Sequence, residues 1–260
     1  MKVIEDNRKY TGIWFRPFSK DLLSGSHYLN IFFPDGSPEI KNSLGYRAHE
    51  FTKNHKNKLH VVFSGCSYSV PDALYAAEGW AWRMWREFKN TSGFFNLSQL
   101  GNNIPNMVFD MFKYCELYGM PDKIFMLMPD PSRYMDVDIE PGVGKGYSHL
   151  ALTDGLYEEY VHISCYQAYY MLEMFCKTNN IELIGFSWDP RTNELLREFE
   201  TFFVMEQDDI LREAYEFEKT MEDKTYAINA RGEGNTHPGI AVQYAYYNLL
   251  KNYRNHKNNA

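Results

Sequence analysis

Short apolar runs that stop abruptly at glycine or proline, each followed by a stretch of helical period, constrain this chain more than any other feature. Lys123–Met128 is apolar almost throughout. That is the pattern of a strand covered on both faces, not of one with a wet face. It breaks at Pro129-Asp130-Pro131. Leu59–Phe63, Phe94–Leu97 and Ile181–Phe186 read as three more strands. Strand alternating with helix gives an α/β class, with a parallel sheet between two layers of helices. In such sheets ligands sit outside the carboxyl ends of the strands. Ser67, Gly101, Asp130 and His237 each fall just after a strand and are expected to converge on that edge.

The intervening segments supply the helices. Leu74, Ala77, Ala81, Trp85 and Phe88 recur at helical spacing, and Ser69 with Asp72 has capping-box spacing, so a helix is expected directly after the first strand. Pro105 opens a second helix that Gly119 and Pro121 stop, with Val108, Met111, Phe112 and Cys115 on its buried side. A long helix is predicted over 156–178. Residues 191–222 read as charged and helical, with Leu195, Leu196, Phe199, Phe202 and Phe203 on one side. Thr225–Asn229 is expected to be a short last strand, and a helix from Pro238 to about Tyr253 closes the fold. The stretch 130–153 has several glycines and no clear period, and reads as a long excursion over the sheet edge. The chain thus divides into an N-terminal extension packed on the core (1–56), the α/β domain (57–254) with its insertion at 130–153, and a polar tail (255–260).

Bulk properties exclude several classes. A chain of 260 residues with 44% hydrophobic content can bury a full core. The formal net charge of -7 disfavours a general nucleic-acid role, which needs a concentrated basic face. No apolar run approaches the roughly 20 residues that span a bilayer. Met1–Tyr10 lacks the apolar centre of a signal peptide, so synthesis in the cytoplasm is expected. Cys66, Cys115, Cys165 and Cys176 form no CxxC pair, and reduced thiols are expected. Asp136-Val137-Asp138-Ile139-Glu140 lacks the full pattern of a calcium loop and reads as a solvated acidic stretch. His149 and His162 have no metal-ligand spacing. Neither a metal nor a cofactor is expected. The 17% aromatic content fits a tyrosine-rich core and surface, or a face for sugars or another protein.

The chemistry concentrates at two places far apart in the chain. In Val61-Val62-Phe63-Ser64-Gly65-Cys66-Ser67-Tyr68-Ser69, a strand ends at a glycine and presents Ser67 where a helix is expected to begin. Backbone N–H groups there favour a developing oxyanion. In Gly234-Asn235-Thr236-His237-Pro238-Gly239, His237 precedes a helix whose N-terminus would keep the imidazole neutral and basic. A serine hydroxyl needs such a base before it can attack an ester. Gly101 with Asn102 and Asn103 offers further donors, although a turn with an Asn-rich helix start accounts for them equally. Cys66, beside the serine, alternates to the inside. Arg47 and Arg133 are candidate anion binders, with ordinary salt bridging as the simpler role.

Gly65-Cys66-Ser67-Tyr68, Asn96-Leu97-Ser98-Gln99-Leu100-Gly101-Asn102-Asn103 and His237-Pro238-Gly239 resemble the ordered blocks of SGNH hydrolases, also called GDSL-type esterases. The lead-in Asn42-Ser43-Leu44-Gly45-Tyr46-Arg47 resembles that of bacterial and phage members, and the resemblance runs from Asn42 to about Leu250. It implies a flavodoxin-like three-layer α/β/α sandwich, Ser67 as nucleophile, His237 as base, and the Ser67 amide and Gly101 in the oxyanion hole. It also implies an acyl ester as substrate, an O-acetyl group on a carbohydrate above all, with no cofactor. Two departures stand out. Asp130 stands near the position of the family's third-block asparagine, so it points elsewhere, is protonated, or leaves the donor's part to Asn102 or Asn103. Gly234, flanked by Glu233 and Asn235, stands where the family's acid lies, which leaves Glu233 from a shifted loop, a backbone carbonyl, Asp130 or Asp189 to orient the histidine. These departures support a competing expectation: a non-catalytic glycan- or protein-binding component on the same scaffold, virion-associated and with oligomer or virion partners.

Overall fold

The computed structural model describes residues 42–44, 46–71, 74–99, 101–137, 144–147, 155–224, 226–229 and 237–259. Its centre is a five-stranded, all-parallel sheet: β1 (Val61–Gly65), β2 (Phe95–Asn96), β3 (Lys123–Met128), β6 (Glu182–Ser187) and β7 (Phe202–Val204), in the order β2-β1-β3-β6-β7. Counted within the sheet this is 2-1-3-4-5, the doubly wound order of the flavodoxin-like fold. The register pairs Phe63 with Phe125, Phe125 with Ile184 and Phe186 with Phe203.

Period-two alternation sorts the strand side chains between two cores. Val62, Ile124, Met126 and Leu183 face a layer built from α2 (Ile104–Tyr118) and α3 (Gly155–Thr178), a core that also takes in Tyr46 and Ala48. Val61, Phe63, Phe125, Leu127, Ile184 and Phe186 face α1 (Trp80–Arg86), α5 (Gln207–Glu218) and α6 (Ile240–Asn259). A short helix, α4 (Pro190–Leu196), follows β6. The three-layer sandwich is therefore the one expected, and β3 and α2 form where their residues predict. Asn103 caps α2 by accepting from the Asn106 amide at 2.9 Å, and Gly119 ends it at φ 97°, a conformation that favours glycine.

Several elements depart from expectation. No α-helix follows β1 at once: α1 starts at Trp80, after a turn at Cys66–Val70 and a 3₁₀ turn at Ala76–Glu78. The reason is that Arg47 reaches in and donates to the carbonyls of Val70 (2.8 Å), Pro71 (3.0 Å) and Leu74 (3.1 Å), which a continuous helix would have used itself. Asp72 lies outside the described residues, and Ser69 accepts from the Trp80 indole instead of capping. The charged 191–222 stretch is not one helical region. Phe202 and Phe203 belong to edge strand β7, with Phe202 buried and Phe203 stacked on the Tyr253 ring. The excursion after β3 contains an antiparallel pair, β4 (Tyr134–Val137) with β5 (Gly144–Tyr147), separate from the main sheet. Residues 226–229 join no sheet and form an isolated bridge between Asn229 and Pro238. The last helix starts at Ile240 and continues to Asn259, past the expected end near Tyr253 and through most of the polar tail. Residues 1–41, which hold most of the expected extension, lie outside the described residues.

All four cysteines are buried free thiols. Among the described residues no helix is long and apolar enough to cross a membrane, and no cluster of three metal-binding side chains occurs.

The start of β1 holds a stacked histidine pair, with His60 buried and His55 half-buried. His60 stacks on His55 with 3.6 Å between ring centroids. Its Nε2 lies 2.8 Å from the Tyr114 hydroxyl and its Nδ1 3.2 Å from the Met120 carbonyl. Burial, and then the neighbouring His55, push the His60 pKa down from 6.5 to about 4. The folded protein thus holds this proton less readily than the unfolded chain. The resulting stabilisation is complete above pH 6.5 and is lost as pH falls toward 4. Urea unfolding at pH 7 and pH 4 should show about 2–3 kcal/mol of acid sensitivity that His60→Gln lacks. Equal pH dependence in the two proteins would contradict this.

Candidate active site

The five parallel strands end on one edge, and the loops after β1, β2, β3 and β6 are tied to one another. After β1, the turn is held by bonds from the Ser69 and Val70 amides to the Cys66 carbonyl, at 2.9 and 3.2 Å. Gly65 is required there, since a Cβ would collide with the Ser69 hydroxyl and lie 3.1 Å from the Leu127 carbonyl. Cys66 is fully buried, as alternation predicts, and Ser67 keeps 7% of its exposure. The loop after β2 is joined to this turn by the Asn96 amide, which donates to the Ser69 carbonyl at 3.0 Å.

The far end of the chain reaches the same place. The Tyr68 ring lies 5.6 Å from the His237 ring, edge-on, and 4.5 Å from the Trp188 ring in the loop after β6. The neighbour of the serine therefore touches the histidine itself, although 169 positions of sequence separate Tyr68 from His237. Among the described residues no hydrogen bond joins Ser67 to His237. The two sides meet through the Tyr68 ring. The imidazole stands three residues ahead of α6, beyond the first turn where a helix dipole acts strongly. Its position is set differently from the expectation: the Gly239, Ile240 and Ala241 amides donate to the carbonyls of Ile228 (2.6 Å), Tyr226 (3.0 Å) and Ala227 (2.8 Å). A Cβ at Gly239 would lie 2.7 Å from the carbonyl carbon of Ala227, so the glycine permits this close approach.

Gln243 holds the site together and was missed in reading the residue pattern. It is fully buried on α6, with its Nε2 donating to the Tyr68 carbonyl (2.7 Å) and its Oε1 accepting from the Trp80 amide (3.0 Å). One side chain thereby locks the β1 turn, α1 and the helix behind His237 together. Its only signal was a polar residue amid the inward positions of α6.

Gly101 sits at φ 68° with open space where a side chain would be. The Asn102 Oδ1 accepts from the Asn103 amide at 3.1 Å, while its buried Nδ2 has no acceptor among the described residues. Asn103 is committed to capping α2.

Asp130 does not face an oxyanion position as a free carboxylate. Its Oδ1 accepts from the Ser132 amide (2.8 Å) and its Oδ2 from Arg191 (2.6 Å), so it ties the β3 loop to α4. Asp189 caps α4, accepting from the Thr192 amide at 3.0 Å. Both carboxylates are thus engaged within the loops after β3 and β6. Glu233 and Gly234 lie outside the described residues, as do Asp138, Glu140 and His149. Arg47 is not an anion binder here but a clamp on three carbonyls. Arg133 donates to the Asn102 carbonyl at 3.4 Å, which links the β3 and β2 loops.

No family model matches this chain, and no curated protein matches it. Solved structures do. The chain is similar to an acetyl xylan esterase, Est2A, from the rumen bacterium Butyrivibrio proteoclasticus, at 15% identity and a TM-score of 0.48, over 76% of this chain and 64% of that one. The chain thus spans just under two thirds of that esterase. It is also similar to the psychrotrophic esterase EstA from Pseudoalteromonas sp., whose structure was determined inhibited by monoethylphosphonate, at 14% identity and a TM-score of 0.41, over 75% of this chain and 98% of that one.

Removing the Gln243 amide leaves a buried N–H and a buried carbonyl without partners. Gln243→Ala should destabilise the protein by about 2–4 kcal/mol in denaturant unfolding. A loss below about 0.5 kcal/mol would show that the lock is not structural.

Proposed function

We propose that this chain is a serine esterase of the SGNH type that hydrolyses an acyl ester, an O-acetyl group on a carbohydrate being the favoured substrate. The observation that carries this is the ring contact between Tyr68 and His237, which brings the serine turn and the histidine to the carboxyl edge of one parallel sheet. In the proposed mechanism His237 takes the Ser67 proton as the hydroxyl attacks the ester carbonyl. The Ser67 and Gly101 amides receive the oxyanion, joined by the Asn102 Nδ2, whose open valence replaces the donor that Asp130 cannot supply. Water then attacks the acyl-serine with His237 again as base. No cofactor takes part in these steps. Catalysis needs the Ser67 hydroxyl within hydrogen-bond reach of the imidazole, a contact that commonly tightens when substrate binds.

A second possibility is a non-catalytic glycan- or protein-binding role on the same scaffold, with oligomer or virion partners. It is favoured by the outer face of α3, where Tyr160, Ile163, Tyr170 and Met171 are exposed.

Turnover of 4-nitrophenyl acetate separates the two. Ser67→Ala and His237→Ala should each lower kcat/KM at least about 1,000-fold. Hydrolysis at the uncatalysed rate by the unaltered protein would leave the binding role in possession.

A further inference from the structure

We infer that Arg133 is a receptor for a carboxylate carried by the substrate, so that the preferred esters are acidic. This rests on the esterase role proposed for the Ser67 edge. Arg133 follows β3 and is 8% exposed. A buried cation is costly unless an anion answers it. No carboxylate among the described residues pairs with Arg133. The nearest in sequence, Asp130, already holds the Ser132 amide and Arg191. Among the described residues the guanidinium makes one long bond, from Nη1 to the Asn102 carbonyl, and its buried Nε has no acceptor.

The Nδ2 of Asn102, the residue whose carbonyl Arg133 holds, is likewise a buried donor without an acceptor. Two orphan groups therefore belong to one pair of linked residues, and both are donors. Their complement is rich in acceptors. A neutral acetyl ester offers one oxygen, charged only in passing, and the Gly101 and Asn102 donors suffice for it. A permanent guanidinium charge calls for a permanent negative charge. Nη1 is engaged, so the edge bearing Nε and Nη2 is the open one, and that edge matches a carboxylate in a two-bond fork.

The carboxylate could belong to the acyl group or to the alcohol, and paired substrates distinguish them. 4-Nitrophenyl hemisuccinate, against its neutral methyl ester, charges the acyl side. O-acetyl glucuronate, against O-acetyl glucose, charges the other. The unaltered protein should favour at least one acidic ester tenfold or more in kcat/KM. Arg133→Gln should abolish that preference, Arg133→Lys should retain part of it, and raising the salt concentration should shrink it. No preference for either acidic ester, or an equal loss on acidic and neutral esters in Arg133→Gln, would overturn the inference while leaving the esterase intact. If Arg133→Gln does not fold by circular dichroism, the preference of the unaltered protein and its salt dependence decide alone. If no ester is hydrolysed, the esterase role fails separately. Thermal unfolding with millimolar succinate or glucuronate then decides: a rise in Tm supports the carboxylate receptor, and no rise overturns it.

Discussion

The pairing of β1 between β2 and β3, with all five strands of the sheet running the same way, governs everything else in the molecule. Parallel strands demand that the chain return across a face between them, and the apolar runs supply two faces that both need cover. The helices meet that need, and every strand-to-helix loop falls on one edge as a result. Ser67, Gly101, Asp130 and Trp188 become neighbours by topology, before any specific side-chain contact is formed.

The contacts then hold that edge in one arrangement. Asn96 ties the β2 loop to the β1 turn, Arg133 ties the β3 loop to the β2 loop, Arg191 ties α4 to the β3 loop, and Tyr68 packs on Trp188. Asp130 belongs to the same network, where Arg191 and the Ser132 amide hold its carboxylate as a structural tie. Asn102, beside it, keeps a buried amide nitrogen with no acceptor among the described residues. Arg133, alongside it, is a buried charge that no carboxylate among the described residues answers.

Sequence pattern revealed the sheet, the α2 and β3 boundaries and the clustering of strand ends, because burial on two faces and capping chemistry are local and strong. Four features escaped it for physical reasons. The delay of α1 to Trp80 depends on Arg47 reaching over from outside the segment. β7 is three residues long, and Phe202 and Phe203 suit a helix face equally well when read alone. The bridge of residues 226–229 with 238–241 involves no apolar pattern, only backbone pairing and the space left at Gly239. Gln243 matters through partners 163 and 175 residues away, a separation that no local rule anticipates. For the candidate site, Ser67 was legible as a serine after a strand, whereas His237 was legible only as a histidine ahead of the last helix, since the stretch before it joins no sheet. What Asp130, Asn103 and Arg47 do was not, since each is decided by a tertiary partner.

Mapping the attachment point of a fluorophosphonate probe by peptide mass spectrometry tests the central claim most directly. A catalytic serine activated by a distant histidine predicts one adduct, on Ser67, that disappears in His237→Ala while the fold is retained. An unlabelled protein, or an adduct on another residue that His237→Ala does not affect, would contradict the account.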